Sequence, residues 1–205
     1  MKKAFTLIEL IFSMVIIAIA FSVLPKILEL SMKSATTSLK EEAMYNAVAY
    51  VGLIKSTAWD ENNTKVDDIL LVSDGNSAYD CNTTTGYRIG GMKGSRNCFN
   101  KQSASAIGSD GNDLDDMDDF TTLNASNKNN SRDYNLSVSV DYIDDITPNA
   151  TQYTITSNAE STNTKYITVT VQANRKAAVL GDSFAKIPFI AQNIGQIKIN
   201  RRVWQ

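Results

Sequence analysis

The sequence predicts an α+β protein, in which a long N-terminal helix packs on an antiparallel β-sheet. Two patterns point to this class. Apolar residues recur with helical spacing through residues 5–58, and segments beyond residue 59 alternate apolar with polar residues and are separated by turn residues. The chain has 205 residues, enough for a membrane anchor and one domain of ordinary size. One apolar face of the sheet should cover the helix, which gives two layers.

The helix begins with an apolar run at residues 5–24, interrupted by a single carboxylate, Glu9. A helix rises about 1.5 Å per residue, so this run spans about 30 Å, the thickness of the hydrocarbon core of a bilayer. Lys2 and Lys3 precede it, and the positive-inside rule places this short end in the cytoplasm. We therefore predict a transmembrane helix at 5–24, with the rest of the chain across the membrane.

The helix continues as an amphipathic segment at residues 25–58. Its apolar residues are spaced by three and four, which places them on one stripe of a helix. We expect the sheet to cover this stripe along its length. Its members are Leu28, Met32, Ala35, Leu39, Ala43, Ala47, Val51 and Ile54.

Residues 59–205 are rich in Asn, Asp, Ser and Thr and carry the strand patterns. Strict alternation predicts strands at 136–142 and 167–173, which should pair as antiparallel neighbours. Weaker patterns predict a shorter strand around Tyr153 and Ile155, and a last strand containing Ile197, Ile199 and Val203. This part is therefore expected to form a β-rich domain with an acidic loop at 102–132.

Composition argues against several classes of function. The chain has no histidine, which removes the commonest general base and most zinc sites. A net charge of −2 provides no broad basic surface for nucleic acid. No spacing of nucleophile, acid and base suggests an enzyme, so we expect the protein not to be one.

The segment Phe5-Thr6-Leu7-Ile8-Glu9-Leu10, directly after Met1-Lys2-Lys3-Ala4, resembles the N-terminal signature of type IV pilins and type II secretion pseudopilins. The resemblance implies a leader at residues 1–4, cut between Ala4 and Phe5 by a prepilin peptidase, and N-methylation of Phe5. It implies a filament subunit, here a minor one, whose partners are other pilin-like subunits and an inner-membrane assembly platform. Ala4 departs from the pattern, because the family usually has glycine before the cut.

The resemblance also gives roles to Glu9 and Pro25. In the family, the carboxylate at the position of Glu9 faces the N-terminal amine of a neighbouring subunit and sets the axial register. The alternative is that Glu9 reaches to the cytoplasmic surface of the membrane. Pro25 cannot donate a hydrogen bond to the carbonyl of Phe21. It is either a hinge that operates during assembly or a proline tolerated at the membrane surface.

Two rival interpretations use the same residues. Residues 1–20 also resemble a secretory signal peptide cleaved after Ala20, although Glu9 and the helical pattern beyond Phe21 weigh against that. The rival function is a membrane-anchored or secreted calcium-binding or adhesive module that does not polymerise.

Cys81 and Cys98 are the two cysteines of the chain. On the far side of a membrane, an isolated pair predicts a disulfide, and the C-x-x-C spacing of redox sites is missing. The bond would close a loop of eighteen residues counting both ends. By the loop-entropy argument, it would stabilise the domain by about 3 kcal/mol.

Six aspartates crowd into ten residues between Asp110 and Asp119. Carboxylate oxygens are hard ligands, so a bound cation here should be calcium, and the spacing is not that of an EF-hand. A solvated acidic loop is the alternative. Leu114, Met117 and Phe120 are spaced by three, as if one side were anchored. The expected ligands are Asp110, Asp113, Asp115, Asp116, Asp118 and Asp119.

Overall fold

The computed structural model describes residues 6–65, 68–82, 84–88, 97–108, 113–122, 134–147, 150–173 and 185–195. The chain divides into two compact units, residues 1–42 and 43–205. The elements confirm the α+β class. In chain order they are α1 (Leu7–Ile54), α2 (Glu61–Lys65), β1 (Cys81–Asn82), β2 (Tyr87–Arg88), β3 (Tyr134–Ile143), β4 (Thr164–Ala173) and β5 (Ala185–Gln192), with short 3-10 helices at Ser77–Tyr79 and Asp119–Thr122.

The predicted long helix is present as α1, 48 residues in one element that continues through Pro25. In its apolar part, the hydroxyl of Ser13 donates to the carbonyl of Leu10 at 2.8 Å, and that of Ser22 to Ile19 at 2.9 Å. These bonds satisfy both hydroxyls within the helix, as an apolar surrounding requires. Among the described residues, α1 is the one helix long and apolar enough to cross a membrane, judged by length and composition.

The C-terminal part of α1 supplies the helix layer of the second unit. Its inward residues are fully or almost fully buried: Ala43, Ala47, Val51 and Ile54. Asn46 donates a hydrogen bond to the hydroxyl of Tyr134 on β3, and Lys55 lies over the ring of Phe189 on β5, 4.9 Å from its centroid. The predicted packing of the helix on the sheet is therefore confirmed for this part.

The expectation that the sheet covers the whole apolar stripe is wrong for its first half. The side chains of Leu28 and Met32 are 62% and 71% exposed, and Ala35 is exposed as well. The periodicity of the sequence shows that a stripe needs a partner, but it does not say which partner. Within the second unit, the members of the stripe from Ala43 onwards are buried, whereas Leu39 is half-buried.

The main sheet has the order β3-β4-β5 and is antiparallel throughout. The two strongly predicted strands, at 136–142 and 167–173, are confirmed as β3 and β4, which pair from Tyr134 opposite Ala173 to Ile143 opposite Thr164. Alternate residues face inwards and form most of the core, as expected from a period of two. The buried ones are Tyr134, Leu136, Val138, Val140, Tyr142, Ile167, Val169 and Val171.

The third strand, β5, was not predicted. It contains Pro188, which lacks a backbone N–H and therefore weakens a strand pattern. Among the described strands, β5 lies at an edge of the sheet, and Pro188 stands opposite Thr168 of β4. An edge strand tolerates proline because one side of its backbone needs no partner strand.

The shorter strand predicted around Tyr153 and Ile155 is wrong. That segment connects β3 to β4 and docks through an isolated bridge between Ile143 and Ser157. The side chain of Ile155 is 48% exposed, so it does not pack in the core although its neighbours in sequence are polar. The strand predicted around residues 197–203 lies outside the described residues.

We predict that Ile167→Ala lowers the free energy of unfolding by about 2–5 kcal/mol, because it leaves a cavity at the centre of β4. Ile167 is fully buried between Val140 of β3 and Phe189 of β5. Urea denaturation of the full chain in detergent measures the change. Thr168→Ala, on the opposite face of the strand, is the control and should cost less than about 1 kcal/mol. Equal losses for the two variants would contradict the assignment of the core face.

Candidate functional site

The first candidate site is the N-terminal part of α1. All residues from Thr6 to Ala35 are exposed, including large apolar side chains such as Phe12 and Phe21. Soluble proteins rarely leave a continuous apolar surface of this size uncovered, so lipid or other helices must cover it. Ala4 and Phe5, the predicted cleavage and methylation residues, lie outside the described residues.

Glu9 lies in the first turn of α1, where its backbone N–H donates to the carbonyl of Thr6 at 3.1 Å. A carboxylate is favourable near a helix N-terminus, because the dipole of the helix is positive there. The surrounding surface is apolar and exposed, so a cation that pairs with Glu9 would have to come from outside residues 6–42 of this chain.

The second candidate site is the acidic segment, which folds back on itself between Asp113 and Thr122. The Oδ1 atom of Asp116 accepts hydrogen bonds from the backbone N–H groups of Asp118 at 2.9 Å and Asp119 at 3.1 Å. The carboxylate of Asp119 accepts from the backbone of Asp115 at 3.2 Å and of Asp116 at 3.3 Å. These bonds shape the segment into a tight turn and leave it compact.

One side of this segment is anchored in the core, as the spacing predicted. Met117 and Phe120 are buried, and the ring of Phe120 meets that of Tyr50 edge to face with centroids 5.7 Å apart. Leu114 does not share this burial, since it is 42% exposed. The anchoring fixes the backbone of the turn relative to α1 within the second unit.

Three of the six predicted metal ligands come together. One carboxylate oxygen from each of Asp113, Asp115 and Asp119 lies within 4.8 Å of the other two, a spacing that a single cation can bridge. Asp110 lies outside the described residues. Asp116 and Asp118 are not part of this group. Oδ1 of Asp116 accepts from the backbone of the segment itself, and the carboxylate of Asp118 points to other partners.

The carboxylate of Asp118 instead meets Lys165, a residue that sequence reasoning missed. The Nζ atom of Lys165 lies 2.6 Å from Oδ1 of Asp118, and both side chains are buried. The same ammonium donates to the carbonyl of Trp59 at 2.8 Å and lies 3.5 Å from Oδ2 of Asp60. The sequence carried a signal, since Lys165 has the same parity along β4 as Ile167 and Val169 and so faces inwards.

Lys165, Asp60, Asp116, Asp118 and the ring of Tyr142 form a buried cluster, and its burial changes the pKa values of its members. Loss of solvent, and then the neighbouring charge of Asp118, raise the pKa of Asp116 to about 7, against the opposing effect of Lys165. Tyr142, whose ring is part of the same cluster, has its pKa raised by burial and then by the charge of Asp60. Asp60, Asp116 and Asp118 therefore lie close together around the ammonium of Lys165.

The predicted disulfide is confirmed, because Cys81 and Cys98 are bonded. The bond links Cys81 of β1 to Cys98, which follows β2 in the sequence. Asn82 and Gly86 shape the turn of the β1–β2 hairpin. The side chain of Asn82 accepts from the backbone of Thr84 and Thr85, each at 3.0 Å. Gly86 has φ +73° and packs directly against the ring of Phe99, so a side chain would fit neither the backbone nor the space.

Residues 1–25 match the prokaryotic N-terminal methylation motif, the prepilin-type signature. This match and the long apolar helix fit a pilin-like protein anchored in a membrane. The motif implies processing by a prepilin peptidase and assembly with other pilin-type subunits, and it suggests a structural subunit rather than an enzyme. No curated protein and no solved structure is significantly similar to the chain.

We predict that Asp116→Asn changes how stability depends on pH. A carboxyl whose pKa is raised on folding favours the folded state while protonated, and this contribution disappears as pH rises from about 4 to about 7. Relative to the wild type, the free energy of unfolding of the variant should therefore rise across this window by about 2–4 kcal/mol, the lower end allowing for partial solvent screening, and the difference should stay constant at higher pH. Asparagine keeps the Oδ1 acceptor.

Unfolding in urea at a series of pH values, in buffer with a chelator, measures this difference. Asp141→Asn, an exposed change on β3, is the control and should follow the wild type. A difference between Asp116→Asn and the wild type that does not vary with pH would contradict the prediction.

Proposed function

We propose that the protein is a minor pilin or pseudopilin, a structural subunit of a type IV pilus or type II secretion filament. One observation carries the proposal: a methylation motif opens a helix whose residues 6–35 are all exposed and largely apolar. Such a surface is suited to two environments in turn, the bilayer and a bundle of identical helices. The β-rich unit then forms the outside of the filament.

The proposed mechanism is assembly. A prepilin peptidase cuts between Ala4 and Phe5, the new amine of Phe5 is methylated, and the subunit waits in the inner membrane with residues 43–205 in the periplasm. An assembly platform then moves it into the filament. A carboxylate in lipid is costly, so pairing Glu9 with the Phe5 amine of a neighbour stabilises the one axial register in which they meet.

The exposed half of the apolar stripe supports the same proposal. Leu28 and Met32 are not covered by the sheet, yet they continue the line that Ala43 and Ala47 bury. In a filament, helices of neighbouring subunits would cover them. Pro25 stands between the apolar run and this stripe, and we propose that the missing hydrogen bond to Phe21 lets the helix bend there during extraction from the membrane.

We predict that Glu9→Gln greatly reduces incorporation into filaments, by tenfold or more, while the subunit still reaches the membrane. The reason is that a neutral side chain cannot compensate the amine of a neighbour. Quantitative immunoblotting of sheared filaments and of membranes measures the two pools. Glu29→Gln, an exposed change on the same helix, is the matched control and should assemble normally.

Mass spectrometry of the N-terminus tests the processing step separately. A chain that begins with methylated Phe5 is expected. A mature chain that begins at Phe21 would replace the proposal with simple secretion. Normal incorporation of Glu9→Gln would instead favour a membrane-anchored module that does not polymerise.

A second proposal concerns the acidic segment, which we infer binds a divalent cation, with calcium the best fit. Its support is the convergence of Asp113, Asp115 and Asp119, whose oxygens lie within 4.8 Å of one another. The donors are all carboxylates, which suits a hard cation and not a soft one. The cation would neutralise charge next to the buried cluster and hold the turn in place.

We predict that calcium raises the thermal midpoint of the folded chain, because a ligand bound only by the folded state stabilises it. At a hundredfold excess over Kd, the gain is about 2.7 kcal/mol. Asp113→Asn combined with Asp115→Asn should abolish the gain, since both side chains are exposed ligands with little role in the core. Asp141→Asn should retain it. A midpoint of the wild type that calcium does not change would contradict the proposed site.

A further inference from the structure

The contact between Lys165 and Asp118 is unusual in its burial. The Nζ and Oδ1 atoms are 2.6 Å apart, and the exposed fractions of the two side chains are 0% and 1%. Lys165 is near the start of β4, and Asp118 immediately precedes the 3-10 helix Asp119–Thr122. An ammonium and a carboxylate removed from water together lose much of their hydration, which their attraction only partly restores.

The walls around the contact are aromatic. The Nζ atom of Lys165 lies 4.5 Å from the ring centroid of Trp59 and 5.4 Å from that of Tyr142. A second carboxylate also reaches it, since Oδ2 of Asp60 is 3.5 Å away and Asp60 is fully buried. Amine, carboxyl and a second carboxylate thus meet in a site that excludes bulk water.

We propose that Lys165 and Asp118 condense to an intramolecular isopeptide bond, an amide between Nζ and Cγ. The reacting pair is the ammonium and carboxylate already in contact, and the products are the amide and one molecule of water. No oxidant, reductant or activating cofactor is needed, because the ion pair holds every atom of both products.

Groups of the cluster supply and accept every proton that the condensation moves. Nζ first passes one proton to Oδ1 of Asp118 across the 2.6 Å contact, which converts the ion pair to an amine and a carboxylic acid. The freed electron pair of Nζ then attacks Cγ of Asp118, and a second proton passes from Nζ to Oδ2 of Asp60, 3.5 Å away. The bond between Cγ and Oδ1 then breaks, and Asp60 returns its proton to the departing oxygen, which leaves as water. Nζ keeps one hydrogen, and Asp60 ends as the carboxylate it was.

The second carboxylate oxygen of Asp118 has a hydrogen-bond donor that can stabilise it during the condensation. Its Oδ2 atom accepts a hydrogen bond from the backbone N–H of Gly108 at 2.9 Å. This oxygen gains negative charge when Nζ adds to Cγ, and a fixed N–H donor stabilises that charge. It becomes the carbonyl oxygen of the amide and keeps the same partner.

Two physical terms favour the condensation in this site. Folding holds the two groups in contact, which replaces the encounter of two molecules and is worth an effective concentration on the order of 10⁵ M or more. Burial removes the surrounding water that would favour hydrolysis and the charged pair. The bond would tie β4 to the acidic segment, two places 47 residues apart in sequence. A subunit that bears force gains a covalent tie in addition to the Cys81–Cys98 disulfide.

Peptide mapping of the purified full chain, after reduction of the disulfide, tests the proposal. We expect one branched peptide that joins the segment containing Lys165 to the segment containing Asp118, lighter than the sum of the two by one water. Tandem mass spectrometry should locate the branch at these residues. Recovery of both segments only as separate linear peptides, from protein shown to be folded by circular dichroism, would overturn the proposal.

Variants assign the roles. Lys165→Arg and Asp118→Ala should each abolish the branched peptide, whereas Lys186→Arg, an exposed change on β5, should leave it at the wild-type level. Asp60→Asn keeps both reacting groups and should reduce the linked fraction of freshly made protein at least tenfold. A linked fraction in Asp60→Asn equal to that of the wild type would overturn the role of Asp60 as proton carrier. This readout does not depend on cleavage of the leader or on filament assembly.

Discussion

The second unit is organised around the buried ammonium of Lys165. It connects three parts of the chain that are distant in sequence: β4, the carbonyl and carboxylate at Trp59 and Asp60 that follow α1, and Asp118 in the acidic segment. Asp60 in turn accepts from the backbone and hydroxyl of Ser105, which brings a fourth segment to the same point. Removing one member of a buried pair typically costs about 3–5 kcal/mol, because the other charge is left unpaired.

The two parts of α1 have different surroundings: the first part is exposed, and the last part is buried in the second unit. Its first part leaves all side chains from Thr6 to Ala35 exposed and satisfies its serine hydroxyls within the helix, which suits an apolar surrounding. Its last turns bury Ala43, Ala47, Val51 and Ile54 in the second unit. Small residues at 43 and 47 are what close packing of a helix on side chains of a sheet needs. One helix therefore provides an apolar segment long enough to cross a membrane and part of the core of the second unit.

Much of the fold could be predicted because its signals are local. The length of the apolar run, the period of two in β3 and β4, and the isolated cysteine pair each follow from short stretches of sequence. The failures have local causes as well. The strand β5 was not predicted because it contains Pro188. A strand was predicted at residues 153 and 155 because two apolar residues alternate there, but this segment makes only an isolated bridge. The acidic segment was recognised as a site, but its six aspartates were treated as equivalent.

The sequence by itself determined that this protein has a prepilin-type N-terminus, a long helix and a β-rich remainder, since periodicity, hydrophobicity and a contiguous motif are properties of neighbouring residues. Only the tertiary structure decided what each charge faces. It separated Asp118, paired with Lys165, from Asp113, Asp115 and Asp119, which converge. It also decided that the sheet covers only half of the apolar stripe. The reason is that charge pairing and burial depend on residues far apart in sequence, which only the folded chain brings together.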